Sequence, residues 1–207
     1  MSIRNNTYFR MLVTGVVLLM TMPNLVWADN WDNQNNPQIR DHFGIGMGED
    51  LSSFNELAAV VTKDNYAEVE LERSISGDVY IEQGSGLSGN KAKVVQSDSD
   101  GSRAGIWQYG ADNTALITQS GTGNQAYIQQ YNYGNEAWIN QNGDNNIAAM
   151  VQYGLGISSS ISINQRGDNN QAYIVDYGGS NYGISQNGND YVAIVGGYGL
   201  EVYVSQQ

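Results

Sequence analysis

The chemically active side chains that recur most regularly in this chain are carboxamides. Between Asn113 and Gln152 the phrase Asn, any, Ala, any, apolar, any, Gln occurs four times at a spacing of eleven. The copies are Asn113-Ala115-Ile117-Gln119, Asn124-Ala126-Ile128-Gln130, Asn135-Ala137-Ile139-Gln141 and Asn146-Ala148-Met150-Gln152. A carboxamide donates and accepts at once, so identical amides brought together at strand spacing can bond in chains, each to its copy above and below. Acid–base hydrolysis would need carboxylates or basic groups converging on one place. Here the carboxylates are scattered and His42 is the one histidine, so a non-enzyme without a cofactor is expected. The absence of cysteine removes thiolate metal sites and disulfides.

The elements that must position these amides are strands. The named residues fall two apart, which puts them on one face of a β-strand. Looser copies extend the phrase upstream as Ser102-Ala104-Ile106-Gln108, Asn90-Ala92-Val94-Gln96, Val79-Ile81-Gln83 and Asn65-Ala67-Val69-Leu71. Downstream they continue as Ser159-Ile161-Ile163-Gln165, Asn170-Ala172-Ile174-Asp176, Tyr182-Ile184-Gln186, Tyr191-Ala193-Val195 and Val202-Val204-Gln206. Thirteen strands result, separated by turn residues such as Gly121-Thr122-Gly123 and Gly143-Asp144-Asn145. An apolar period of two and 25 glycines exclude a helical reading.

Two strands and two turns make a unit of about 22 residues, within the range of repeat architectures. The expectation is an all-β fold, a parallel β-solenoid of about six coils with two strands per coil and cross-β stacking of coils roughly 4.8 Å apart. Ala and Ile fill a thin interior, and Asn and Gln form ladders that satisfy their own buried polar groups. The alternative is an antiparallel sandwich, whose strands also recur every 8 to 12 residues or so. A sandwich does not require the same residue at the same position of every strand.

Arg4 and Arg10, the apolar run Met11 to Met22 and the small residues Val26 and Ala28 read as a secretory signal peptide over 1–28, cleaved after Ala28. The apolar run is short of the roughly 20 residues that a membrane anchor requires. Removing Arg4 and Arg10 takes the net charge from -12 to -14. Between Ala104 and Gln165 there is no Lys or Arg, so nucleic acid is excluded as a partner. Residues 29–56 are rich in Asn and Gly without a period, and are read as a disordered segment that serves as a secretion address or a linker. Residues 57–207 are read as the solenoid, with Glu56 to Thr62 either a short helix or an irregular first strand.

Gln108-Gly110-Asn113-Ala115 and Gln119-Gly121-Asn124-Ala126 follow a Gln-x-Gly-x-x-Asn-x-Ala pattern that resembles the curlin repeat, and the resemblance extends over about Asn65 to Gln207. Gln130 to Ala137 departs from it, with Asn132 in place of the glycine. The resemblance implies an extracellular subunit of a curli amyloid fibre, exported through the periplasm to the bacterial surface for adhesion and biofilm matrix. Its partners would be other curlin subunits, an outer-membrane secretion pore and accessory factors. Asn55-Glu56-Leu57, and Ala193-Ile194-Val195 followed by Val202-Tyr203-Val204-Ser205-Gln206, are similar to the minor, nucleating subunit more than to the major one. Two features depart from that subunit: from Gly167 onward there is no Lys or Arg, and the repeat region exceeds its five units.

Mechanistically, the repeats point to growth by strand addition. Neither proline, Pro23 or Pro37, lies in the repeats, and the last strand, with Val202, Val204 and Gln206 facing inward, carries no cap. Asp112, Asp144 and Asp168 at turns, and Asp176 in place of a ladder Gln, are candidate gatekeepers that restrain stacking; for the first three, ordinary turn chemistry is the other reading. The alternatives are the major fibre subunit of the same system and a surface adhesin. As an adhesin the chain would bind sugars on Tyr127, Trp138 and Tyr173, or calcium at the Gly143-Asp144-Asn145 and Gly167-Asp168-Asn169 turns.

Overall fold

A computed structural model describes residues 57, 59–60, 64–84, 89–154 and 156–207. The signal peptide expected over 1–28 and the segment 29–56 lie outside the described residues. At Leu57 and Ala59 the backbone is helical, with the Val60 N–H donating to the Leu57 carbonyl at 3.1 Å.

Thirteen strands follow in order: β1 (Tyr66–Glu72), β2 (Asp78–Gln83), β3 (Lys91–Asp100), β4 (Arg103–Ala111), β5 (Thr114–Thr122), β6 (Gln125–Tyr133) and β7 (Glu136–Asn142). They continue as β8 (Ile147–Gln152), β9 (Ser160–Arg166), β10 (Gln171–Asp176), β11 (Asn181–Asn187), β12 (Tyr191–Gly196) and β13 (Glu201–Ser205). Odd-numbered strands form a seven-stranded sheet and even-numbered strands a six-stranded one. All pairings are parallel and couple equivalent positions of successive coils: Ala126 sits beside Ala148, Ile128 beside Met150 and Gln130 beside Gln152. This is the β-solenoid of about six coils that the repeat spacing predicts, and the parallel pairing rules out the sandwich.

The core is a thin file of Ala and Ile shared by the two sheets, from Ala92 and Val94 to Ile184 and Val192. Corners close on residues in the left-handed region. Gly110 has φ 130°, and a Cβ there would run into the Asn132 carbonyl of the next coil, so a turn stacked this closely admits only glycine. The register partner of Gly110, Asn132, stands at φ 66°, and Asn145 and Asn169, at φ 57° and 61°, close the opposite corner with a residue that tolerates that region.

One strand has the opposite parity from the sequence reading. In β12 the inward residues are Val192, Ile194 and Gly196, not Tyr191, Ala193 and Val195, because pairing with β10 sets Val192 beside Ala172 and Ile194 beside Ile174. Both alternations of β12 are apolar, so periodicity alone did not choose between them.

The outer faces of the two sheets differ. That of the seven-stranded sheet is covered around Leu116 and Trp138, where Leu57 packs, and Thr118, Asn140 and Asn164 beside them are buried although they point away from the core. On the six-stranded sheet, Tyr80, Gly105, Tyr127, Ala149, Tyr173 and Ala193 form one register file that alternates large and small. Trp107 lies between Tyr80 and Tyr127, with ring centroids 5.3 and 6.3 Å away. At the adjoining corner Tyr109, Tyr131, Tyr153 and Tyr177 stack at 5.5, 5.4 and 5.5 Å.

Candidate functional site

The nineteen ladder and core residues singled out from the sequence all point inward and are brought together. Asn113, Ala115, Ile117, Gln119, Asn124, Ala126, Ile128, Gln130, Asn135, Ala137, Ile139, Gln141, Asn146, Ala148, Met150, Gln152, Asn170, Ala172 and Ile174 each expose 1% or less of their surface. A buried amide costs free energy unless every donor and acceptor is used, so their bonding determines whether the interior is tenable.

The glutamines form two continuous chains. In the six-stranded sheet Gln83 donates through Nε2 to Gln108 Oε1 at 2.8 Å, Gln108 to Gln130 at 2.9 Å and Gln130 to Gln152 at 2.9 Å. In the seven-stranded sheet the chain runs from Gln96 through Gln119, Gln141, Gln165 and Gln186 to Gln206, with steps of 2.8 to 3.2 Å. The second amide hydrogen binds backbone carbonyls across the interior, as when Gln119 donates to Arg103 O at 3.0 Å. Each Gln therefore ties its coil to the next and one sheet to the other.

The asparagines work differently from the simple twin-to-twin ladder expected of them. Their Oδ1 accepts the backbone N–H of the equivalent residue in the next coil, as Asn113 Oδ1 does from Asn135 at 3.0 Å and Asn124 Oδ1 from Asn146 at 3.0 Å. Their Nδ2 donates to turn carbonyls, Asn124 to Gly143 O at 2.6 Å and Asn146 to Gly167 O at 2.8 Å. Direct amide-to-amide bonds also occur, from Asn135 to Asn113 at 3.1 Å and from Asn170 to Asn146 at 2.9 Å. Asn is thus a corner clip, which explains its place just before β5, β6, β7, β8 and β10.

A further polar file, on the outer face, escaped the sequence reading: Thr118 donates to Asn140 Oδ1 at 3.0 Å, and Asn140 to Asn164 Oδ1 at 3.2 Å. Its signal was present as hydroxyl or amide residues at one register position from Thr118 through Asn140 and Asn164 to Ser185 and Ser205. Outward polar residues on a strand ordinarily read as solvated.

The four candidate aspartates fall into two environments. Asp144 Oδ1 accepts the Thr122 N–H and Asp168 Oδ1 the Asp144 N–H, both at 2.8 Å, so each carboxylate caps a turn of the preceding coil. Asp112 stands at a corner with φ 57°. Asp176 is fully buried beside Gln152, in the ladder position, where the Ser159 hydroxyl donates to Oδ2 and Oδ1 has no hydrogen bond of normal geometry. Burial pushes its carboxyl above the ordinary carboxylate range. Close by, Tyr182 occupies an alanine position of β11 and reaches across the interior to Gly196, where any Cβ would collide with its hydroxyl. That hydroxyl is buried without a hydrogen bond of normal geometry, and burial raises its pKa too.

Among the described residues no group of three or more His, Cys, Asp or Glu could hold a metal ion. The three aromatics considered as a sugar-stacking surface do not share a face. Tyr127 and Tyr173 lie on the six-stranded sheet, whereas Trp138 lies on the other, 6% exposed and packed with Leu57.

Among the described residues, β13 and β12 are the sheet edges at one end of the solenoid. Val202 and Val204 pack against the end of the core, and Gln206 accepts from Gln186 through Oε1. At the other end β1 and β2 are the sheet edges. Fold and site define a parallel β-solenoid with two interior amide chains, one from Gln83 to Gln152 in the six-stranded sheet and one from Gln96 to Gln206 in the seven-stranded sheet. Residues 110–137 and 156–182 match the family described as the curlin associated repeat, which supports the resemblance to the curlins. No curated protein matches the chain.

Proposed function

We propose that this chain is a structural subunit of a curli-type amyloid fibre, exported to the bacterial surface, where it polymerises by strand addition. The observation that carries this reading is the identity of interior and edge: among the described residues, β1 and β2 on one side and β12 and β13 on the other are sheet edges in the register of the repeat, and the Gln chains reach an edge at Gln83 and at Gln206. An unpaired edge in the register of its own repeat is a template for another copy. The curlin associated repeat over 110–137 and 156–182 supports the same reading. Incubation of the purified chain at micromolar concentration is expected to give polymers with cross-β diffraction near 4.8 Å. A chain that stays monomeric by light scattering for days, with no cross-β reflection, overturns it.

Within such a fibre we assign the chain the nucleating or templating role, in adhesion and biofilm matrix, on the similarity of Asn55-Glu56-Leu57 and of the Val202 to Gln206 ending to minor curlin subunits. Asp112, Asp144, Asp168 and Asp176 would restrain its polymerisation. Cells lacking this chain but retaining the other fibre subunits are then expected to release those subunits unpolymerised. Normal fibres in such cells would assign it to the bulk of the fibre instead.

A further inference from the structure

The two sheets do not end together. Among the described residues strands alternate between them and number thirteen, so β1 and β13 belong to the same sheet, while the other begins at β2 and ends at β12. Whole copies stacked with β13 on β1 would leave one level of the six-stranded sheet empty between β12 and the next copy's β2. We propose that copies join by strand exchange: β13 of one copy takes the place of β1 against β3 of the next, β1 is released, and β12 pairs directly with β2. The proposal rests on the polymerising reading above and specifies its junction.

Four observations converge on this arrangement. First, β1 is the one strand of its sheet that breaks the ladder, with Leu71 beside Gln96. Gln96 Oε1 is left with the Ser74 hydroxyl at 3.4 Å, where every later Gln of that chain accepts from a Gln Nε2. In the exchanged register Val202 lies beside Ala92, Val204 beside Val94 and Gln206 beside Gln96, so the Gln206 amide, whose Oε1 already accepts from Gln186, has its Nε2 to supply as the missing donor. The Glu201 carbonyl would likewise replace that of Tyr66, which accepts from Gln83 at 2.9 Å.

Second, the file Tyr80, Gly105, Tyr127, Ala149, Tyr173, Ala193 alternates large and small and ends on a small residue. Direct pairing of β12 with β2 sets Tyr80 next, so the alternation crosses the junction in phase. Third, Tyr182 places its hydroxyl in the ladder position that Gly196 vacates, buried and without a bond of normal geometry. At a β12–β2 junction the next ladder residue is Gln83, whose Oε1 has no Gln before it in its own chain. Ladder polarity requires a donor at that point, and the Tyr182 hydroxyl is one. The buried group that the isolated subunit leaves unexplained is accounted for by the junction.

Fourth, β1 is built to leave. Its outward residues Glu70 and Glu72 are exposed and Glu68 is half-buried, and its inward Val69 and Leu71 are exposed at 45% and 56%. Exchange forfeits the ion pairs of Lys93 with Glu68 and Glu70, at 3.5 and 3.3 Å, and the bond from Asn90 N–H to Asn65 Oδ1 at 3.2 Å. The partly solvated pairs contribute little, and the exchanged register sets Glu201 opposite Lys91.

The chain has no cysteine, which permits a direct test. Glu70 and Val95 are outward partners of β1 and β3, at the separation of about 4.8 Å between parallel neighbours that a disulfide spans. In E70C/V95C, oxidation tethers β1 in place. Loss of polymer formation in the oxidised monomer, restored by reductant, is the expected result. In a second arm, S205C/V95C chains polymerised under reduction and then oxidised should yield disulfide-linked multimers, whereas S205C/E70C chains should not. Equal polymerisation of the oxidised and reduced tether, or coupling of Ser205→Cys to Glu70→Cys instead of Val95→Cys, refutes the exchange alone. Failure of the unmodified chain to polymerise refutes the underlying reading as well, so the two failures are told apart.

Discussion

Replacing Gln130 by leucine tests whether the amide ladder, rather than apolar burial alone, stabilises the solenoid. Gln130 is fully buried, donates through Nε2 to Thr114 O at 3.1 Å, Asn135 O at 3.0 Å and Gln152 Oε1 at 2.9 Å, and accepts from Gln108 at 2.9 Å. Leucine is of similar size, so no large cavity opens. Counting about three effective bonds at about 1 kcal/mol each, and about 1 to 3 kcal/mol for Gln152 Oε1 left buried without its donor, the loss is about 3 to 5 kcal/mol after a partial offset from the more apolar side chain. That is a large share of the roughly 5 to 15 kcal/mol that holds a domain folded. Urea unfolding of dilute, freshly desalted monomer, followed by tryptophan fluorescence, measures it, and the midpoint should fall with little change in slope. A change below about 0.5 kcal/mol, the scatter expected of an inconsequential substitution, would show that the ladder is a passive passenger of the strands.

Four further expectations concern other parts of the molecule. Asp176→Asn should stabilise the monomer at neutral pH: the folded state holds the carboxyl proton more tightly than the unfolded chain, so ionisation costs stability as pH rises through the ordinary range near about 3.9, and the advantage of Asn should vanish in paired melts below about pH 4. The longer Asp176→Gln is expected to shorten the lag of polymerisation, and an unchanged lag in a light-scattering time course removes Asp176 from the restraining residues. Gly110→Ala should destabilise by more than about 3 kcal/mol and Gly156→Ala by only about 1, because both have positive φ but only the former's Cβ meets a carbonyl; equal midpoints in denaturant would contradict this. Leu57→Ala should cost about 2 to 3 kcal/mol and red-shift the emission of Trp138 as its cover loosens, and an unshifted spectrum would place the cover elsewhere.

The coil count, the parallel pairing and the Gln chains were legible because one register position carries the same residue every 22 to 24 residues, as from Gln119 to Gln141 to Gln165. Legibility failed where two alternations were equally apolar, as in β12, and where an outward side chain was covered. No periodicity in the strands announces that Leu57 will bury Trp138, since that contact joins a segment outside the repeat to one within it. Asp176 stood out as a substitution in a ladder, but its isolation depends on Tyr182 and Gly196 exchanging their usual sizes across the interior, a pairing visible only once the two sheets are superposed.

The tyrosine stack at the corner has an optical consequence. Its four rings, Tyr109, Tyr131, Tyr153 and Tyr177, are followed at the same position by Gly197 and preceded by Gly84, so the array of coupled chromophores is complete within one subunit. Its near-ultraviolet circular dichroism therefore reports whether coils are wound, and not whether subunits have joined. A fibre of such chains would carry its chromophores in blocks of four with dark glycine gaps, and folding could be timed against polymerisation in a single unlabelled sample.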